Sequence, residues 1–290
     1  KLNANAGGNM KTRTSSGLNS AASALVNENV FTLNNAASGK LSSNESYSSY
    51  QKNSLYASGD LSYRKYLVLS VTGRNDWSSA LPSSNRSYFF GSTGLTAIIS
   101  DMVKLPDYVS LFKVRTSFAQ TGIDAAPYQT KEYFSVTPGG GISKSQSKPA
   151  VDLKPELTSS GELGVDLAFL NNRISTDVTL YKTNSKNQLV NVATPPASGY
   201  SSKFINAGDV QNKGIEITLN FVPVKTNDFS WSFYVNYARN WNQVISISPN
   251  SPEFVLGSDG FQNYTKIVEG KPFGEMYSRG FVRNAAGKVI

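Results

Sequence analysis

The chain has 290 residues, enough for one large β domain or two smaller ones, and a formal net charge of +8. With 0 cysteines and 0 histidines it has no disulfide framework, no thiolate metal site, no cysteine nucleophile and no histidine base, which argues against a hydrolase triad or a zinc enzyme. The basic residues are scattered and Arg64-Lys65 is as long as any run of them gets, so the excess reads as solvated loops rather than a nucleic-acid surface.

Hydrophobic residues make up 39% of the chain and aromatics 11%, a balance that suits β-sheet with few Leu-rich helices. No apolar run reaches the roughly 18 residues of a transmembrane helix, which leaves a transmembrane barrel open. Lys1 to Gly8 is polar and has no apolar leader core. The expectation is a protein that is not exported, a mature chain or an internal fragment.

Residues 1–24, rich in Asn, Ala, Gly and Ser, read as loop. Leu25 to Leu33 is a weak strand, and Ser38 to Ser49 is loop again. A hairpin follows: Leu55, Ala57, Gly59, Leu61 and Tyr63 alternate with polar residues, Arg64-Lys65 turns the chain, and Leu67, Leu69 and Val71 alternate on the way back. Gly73 to Arg86 is a polar loop, Ser87 to Ile99 a strand, and Ser100 to Ser110 a joint with room for a helical turn. Leu111 to Gly122 is a strand with Phe112, Val114 and Phe118 on one face and Lys113, Arg115 and Ser117 on the other.

Ile123 to Leu157 is a long connection with Pro127, Pro138, Pro149, Pro155 and the run Gly139-Gly140-Gly141; that run is not followed by Lys-Ser/Thr in a phosphate-loop arrangement, so it reads as flexible loop rather than a nucleotide cradle. Leu163 to Tyr237 holds four strands with one apolar and one polar face: Leu163 to Phe169, Ile174 to Leu180, Ile215 to Phe221 and Phe229 to Tyr237. From Asn242 the chain is polar, with Pro249 and Pro252. Tight joints fall at 63–66, 100–110, 170–173 and 223–228, and long ones at 73–86, 122–157, 184–213 and from 241. Short turns at one end and long loops at the other suit an all-β, antiparallel up-and-down transmembrane barrel. A soluble barrel, or a surface β-sandwich module or adhesin, would show the same alternation with the apolar faces turned inward. About ten long strands exceed the usual soluble barrel, which favours lipid.

Several runs resemble TonB-dependent outer-membrane transporters: Leu153-Lys154-Pro155-Glu156, then Glu162-Leu163-Gly164-Val165-Asp166, Asn172-Arg173 and Tyr181. Asn206-Ala207-Gly208-Asp209-Val210-Gln211-Asn212-Lys213-Gly214-Ile215-Glu216 and Phe229-Ser230-Trp231 narrow the likeness to the SusC/RagA-like branch. Arg74-Asn75-Asp76, Lys113 to Phe118 and Gly270-Lys271-Pro272-Phe273-Gly274 fit the same family. The resemblance spans roughly residues 50–290. It implies residues 51–290 as barrel wall with long outer loops, 1–50 as a further loop or strand region, and about half of a 22-stranded barrel with a plugged lumen. It also implies a transporter rather than an enzyme, in the outer membrane of a Gram-negative, Bacteroidetes-like bacterium. Uptake would be of a glycan oligosaccharide in preference to a peptide, with TonB and a SusD-like lipoprotein as partners, no cofactor and no nucleic acid. A passive porin is the remaining membrane alternative.

Within that frame Asp76 and Trp77 are candidate sugar contacts at the foot of an outer loop, although a girdle tryptophan beside a turn-forming Asn-Asp pair is the stronger reading. Tyr128, Tyr133 and Tyr200 lie on long loops as further contacts or as loop packing. Asp166, Asp177 and Glu216 sit on polar strand faces, and glycoside hydrolysis would need two such carboxylates side by side. Asp259-Gly260 lacks the ligand spacing of a calcium loop. Pro155, Glu156, Gly164, Asn206, Gly208, Asn212, Gly214 and Glu216 carry structural expectations, the glycines supplying positive φ or close backbone approach.

Overall fold

Each apolar alternation becomes a long antiparallel strand, and the strands follow one another across a single meander. The structure, a computed structural model, describes residues 1–137, 140–247, 253–261 and 263–290; Pro138, Gly139, Pro249 and Pro252 of the expected loops lie outside the described residues. The main strands are β1 (Leu2–Ala22), β2 (Leu41–Tyr63), β3 (Leu67–Ser78), β4 (Ser87–Ile98), β5 (Val109–Ile123), β9 (Glu156–Phe169), β10 (Ile174–Lys186), β13 (Asp209–Lys225) and β14 (Ser230–Ser246). They form one 9-stranded sheet in chain order. Between β5 and β9 lie β6 (Phe134–Thr137), β7 (Gly141–Lys144) and β8 (Ser147–Lys148). Between β10 and β13 lie β11 (Leu189–Ala193) and β12 (Ser202–Asn206), and β15 (Glu253–Ser258), β16 (Tyr264–Val268) and β17 (Glu275–Tyr277) close the chain.

The joints 64–66, 99–108, 170–173 and 226–229 lie at one end of the sheet, and the connections 23–40, 79–86, 124–155 and 187–208 at the other. At the tightest, Arg64 and Lys65 have φ of 46° and 68°, the double left-handed turn whose twist matches a hairpin. A single helical turn, Ile99–Met102, fills the β4–β5 joint.

Register shows what the alternation builds. Leu2, Leu61, Leu69, Leu95, Thr116, Leu163, Leu180, Ile215 and Arg239 pair in one continuous row through all nine strands. Leu163 and Leu180 sit mid-sheet yet are each 47% exposed, so no protein layer covers this face. A sandwich would have buried it; a barrel wall gives it to lipid. The buried apolar residues instead form two clusters near the long loops, one around Leu81, Tyr88 and Leu153 and one around Val244 and Ile267.

Several loop expectations are corrected. Residues 1–24 do not form a loop: β1 pairs residue for residue with β2 over its whole length. Ser38 to Ser49 is mostly the outer half of β2, and Gly73 to Ser78 extends β3. These stretches are Ser-, Asn- and Gly-rich and are held by backbone ladder bonds rather than by an apolar face. Leu25 to Leu33 is no strand; it bends through one bridge, Leu25 to Ala36, into a 3-10 turn at Leu33–Asn35.

Candidate functional site

At the long-loop end, the face opposite the lipid row is covered by loops. Tyr88 and Phe90 of β4 point to that face, and Leu81, Ala125, Ala150, Leu153, Leu189 and Phe204 from three connecting segments pack on them. Side-chain amides fasten the loops to one another. Asn85 Nδ2 donates to the carbonyls of Asp152 and Leu153 at 3.0 and 3.1 Å. Asn206 Oδ1 accepts the Lys154 N–H at 2.7 Å, while its Nδ2 donates to the carbonyls of Lys154 and Asn187 at 2.8 and 2.9 Å. Glu156 Oε1 accepts the Leu189 N–H at 2.6 Å. Thus Leu153–Glu156 and Asn206–Gly208, far apart in sequence, meet.

The four candidate contact residues divide. Asp76 is 1% exposed, held by Arg74 Nε at 2.7 Å and Lys52 Nζ at 3.6 Å. Trp77 points to the opposite, lipid-side face between Asn53 and Ser87, so the two cannot grip one ligand together. Tyr128 adopts φ of 67°, and its hydroxyl accepts the Ser49 N–H at 2.9 Å. Tyr200 Oη donates to Glu132 at 2.9 Å.

Tyr128 belongs to a cleft of about 840 Å³ between the outer end of β2 and the β6–β7 hairpin. Its aromatic walls are Tyr47, Tyr128, Tyr133 and Phe134, and its polar groups include Ser43, Asn44, Ser135 and Thr137, with Glu45. Tyr47 was missed by sequence reasoning because it stood in a stretch without apolar alternation. Tyr200 lies outside this lining and braces the hairpin: Lys144 Nζ meets Glu132 at 2.8 Å and lies 4.3 Å from the centroid of the Tyr200 ring.

Hydrogen bonds from Lys144 and then Tyr200 hold the Glu132 carboxyl below its usual range, and bonds to Glu132 and Tyr200 hold the Lys144 ammonium above its own. The Glu132 contribution is present above the ordinary carboxylate pKa and is lost as pH falls through the lowered one; that of Lys144 is lost only as pH rises through the raised one. Hairpin amide protection, corrected for intrinsic exchange, is therefore expected to stay flat across the neutral range and to drop only in acid, below the ordinary glutamate range. Protection that survives acidification would show that the brace does not hold the hairpin.

Lower on the same face Asp166 and Asp177 are direct cross-strand partners. Lys113 Nζ lies 2.6 Å from Asp166, and Arg115 Nη2 donates to both Asp177 oxygens at 2.9 Å and to Thr179 at 2.6 Å. Arg115 lies across Gly164, where a Cβ would displace the Arg115 side chain. Glycoside hydrolysis needs one carboxyl carrying a proton; here both are ion-paired, and the cluster is a neutralised patch of wall. Glu216 is exposed on this face, opposite Thr179 and Ala238. Asn212 Oδ1 accepts from the side chains of Asn240 and Asn242 at 3.1 and 2.9 Å. Gly208 takes φ of 89° where the loop re-enters the sheet, and Pro155 is buried beside the Asn206 clamp. Asp259 accepts the N–H groups of Phe261 and Asn263 at 2.8 and 3.3 Å, closing a local turn.

A meander with one lipid face, one polar face and loops folded over the polar side defines the wall of an outer-membrane-type β-barrel. The family model "TonB dependent receptor-like, beta-barrel" matches residues 2–276, and the chain belongs to that family. TonB-dependent receptor P3 of Formosa agariphila is 27% identical over 237 residues, covering 77% of this chain and 24% of that protein. TonB-dependent receptor SusC of Bacteroides thetaiotaomicron is 28% identical over 230 residues, 72% of this chain and 23% of SusC. The RagAB peptide importer in its closed-closed state superposes with a TM-score of 0.78 at 20% identity, over 100% of this chain and 34% of that one. The SusC/RagA-like resemblance is thus met in both sequence and fold. The chain spans about a quarter of the length of the curated relatives it matches.

Proposed function

We infer that the complete protein resides in the outer membrane of a Gram-negative bacterium of the Bacteroidetes type and imports an oligosaccharide, driven through TonB and working with a SusD-like surface lipoprotein. Family membership supports the transport role over a porin or an adhesin. The observation that carries the substrate class is the cleft of Tyr47, Tyr128, Tyr133 and Phe134. Flat rings flanked by hydroxyls and amides suit pyranose faces and their hydroxyls. Among the described residues Glu45 is the only charged side chain in that lining, which offers little to peptide termini. RagAB is a peptide importer, but at 20% identity it speaks to the fold.

The test uses the full-length protein with its co-purifying lipoprotein, titrated with oligosaccharide and peptide libraries. Tyr128→Ala with Tyr133→Ala is expected to weaken oligosaccharide binding at least about tenfold, or about 1.4 kcal/mol. Tight peptide binding without glycan binding would replace the substrate assignment. A protein absent from the outer membrane and showing no boiling-dependent gel shift would overturn the transport reading itself.

A further inference from the structure

On the lipid face of β10 and β13 the apolar run toward the long loops ends at a lysine on each strand. Leu163, Leu180 and Ile215 are followed, one step toward the long loops, by Gly161, Lys182, Lys213 and Trp241 in register. Period two keeps all of them on the apolar side. Arg239, opposite Ile215, holds its guanidinium carbon 4.8 Å from the centroid of the Trp241 ring. The next row outward is amide: Gln211 donates to Asn184 at 3.3 Å and Gln120 to Ser159 at 3.1 Å.

Lys182 and Lys213 are direct cross-strand partners, an arrangement in which like charges destabilise a sheet. Both are exposed, as is Arg239. Among the described residues no carboxylate pairs with any of the three; the nearest ion pair on these strands, Lys186 with Asp209, stands at 4.0 Å above them. Beside Lys182, Gly161 leaves open space: a methyl group there would meet nothing within 4 Å. An anion bridging Lys182 and Lys213 would relieve their repulsion, and Arg239 adds a guanidinium fork suited to phosphate oxygens.

We propose that Lys182, Lys213 and Arg239 form a binding site for the phosphate of an outer-leaflet lipid whose acyl chains lie along Leu163, Leu180 and Ile215. The height of the site carries the choice of a lipid over a free anion. Lys182 and Lys213 stand where the apolar runs of β10 and β13 stop, with Arg239 one step inside them and Trp241 beside Lys213, a residue type that forms the aromatic girdle. Lysine stems can follow the apolar wall while their ammonium groups reach the headgroup. The assignment rests on the outer-membrane reading and is independent of what is imported.

Full-length protein stripped of lipid in detergent is titrated with bisphosphorylated lipid A, with the same lipid dephosphorylated, and with inorganic phosphate. Binding is read by native mass spectrometry and by the unfolding temperature. Bisphosphorylated lipid A is expected to bind and to raise the unfolding temperature of the wild type. Lys182→Gln with Lys213→Gln is expected to weaken this at least about tenfold, whereas Lys148→Gln with Lys203→Gln, two cations of the short strands β8 and β12 outside the main sheet, leaves it unchanged. Without lipid, the Lys182/Lys213 double variant is expected to be no less stable than the wild type, because a repulsion has been removed. A purely structural role for the lysines predicts the opposite. Equal binding of the dephosphorylated lipid, equal protection by inorganic phosphate, or wild-type binding by the double variant would each overturn the site. Outer-membrane fractionation of the wild type tests the underlying placement separately.

Discussion

Gly214→Val is expected to prevent the barrel from assembling. Gly214 is buried in β13, and a Cβ there would lie 2.5 Å from the carbonyl oxygen of Arg239 and 2.5 Å from Tyr181 Oη. The carbonyl belongs to the β13–β14 ladder and cannot retreat without opening it. Tyr181 is also fixed, since its hydroxyl bridges across the glycine to Asn240 Oδ1 at 3.0 Å. Ordinary overpacking costs about 1–3 kcal/mol; a clash with ladder backbone on one side and a tethered ring on the other is expected to exceed about 3 kcal/mol. Gly161→Ala, with open space around it, is expected to stay within about 0.5 kcal/mol of the wild type. The heat-modifiable band on a gel should vanish for the first variant and persist for the second. A stably folded Gly214→Val would show that close approach is not what this glycine serves.

Lipid explains how much of the fold was legible. It demands an apolar residue at every second position of the wall, so Leu163 to Phe169 and Ile215 to Phe221 announce themselves as strands. β1 obeys the same rule with weaker residues. Leu2, Ala4, Ala6, Gly8 and Met10 face the lipid side and alternate with Asn3, Asn5 and Asn9, but alanine and glycine give too little contrast to be seen among serines and asparagines. The outer half of β2 is harder still, because it stands above the apolar band and needs no pattern at all. At the candidate site the period of two already separates Asp76 from Trp77, since neighbours on a strand point apart. No local pattern could place Tyr47 near Tyr128 and Tyr133, which depends on how far β2 extends and where the β6–β7 hairpin folds back. Lys182, Lys213 and Arg239 were unreadable as a group because their proximity is a matter of register across three strands.

Asn206→Ala is expected to loosen the loop assembly while leaving the barrel wall intact. Its side chain closes a backbone-like pair with Lys154 and also holds the carbonyl of Asn187, tying the connection before β9 to both ends of the β11–β12 excursion. Three hydrogen bonds at a net value near 1 kcal/mol each give a loss of about 3 kcal/mol, confined to the segments that the amide joins. Asn206→Asp is expected to be worse than alanine: it keeps an acceptor for the Lys154 N–H but sets a carboxylate oxygen against two carbonyls. Amide exchange should therefore accelerate at Lys154 and at Leu189, whose N–H depends on the adjoining Glu156. Val178 and Leu180, deep in β10, should keep their protection. Because Tyr133 stands on the connection that Lys154 terminates, ligand affinity should fall even though Asn206 does not line the cleft. Uniform loss of protection through β10 would make Asn206 a support of the wall, and unchanged affinity in a variant with loosened loops would separate the cleft from the clamp.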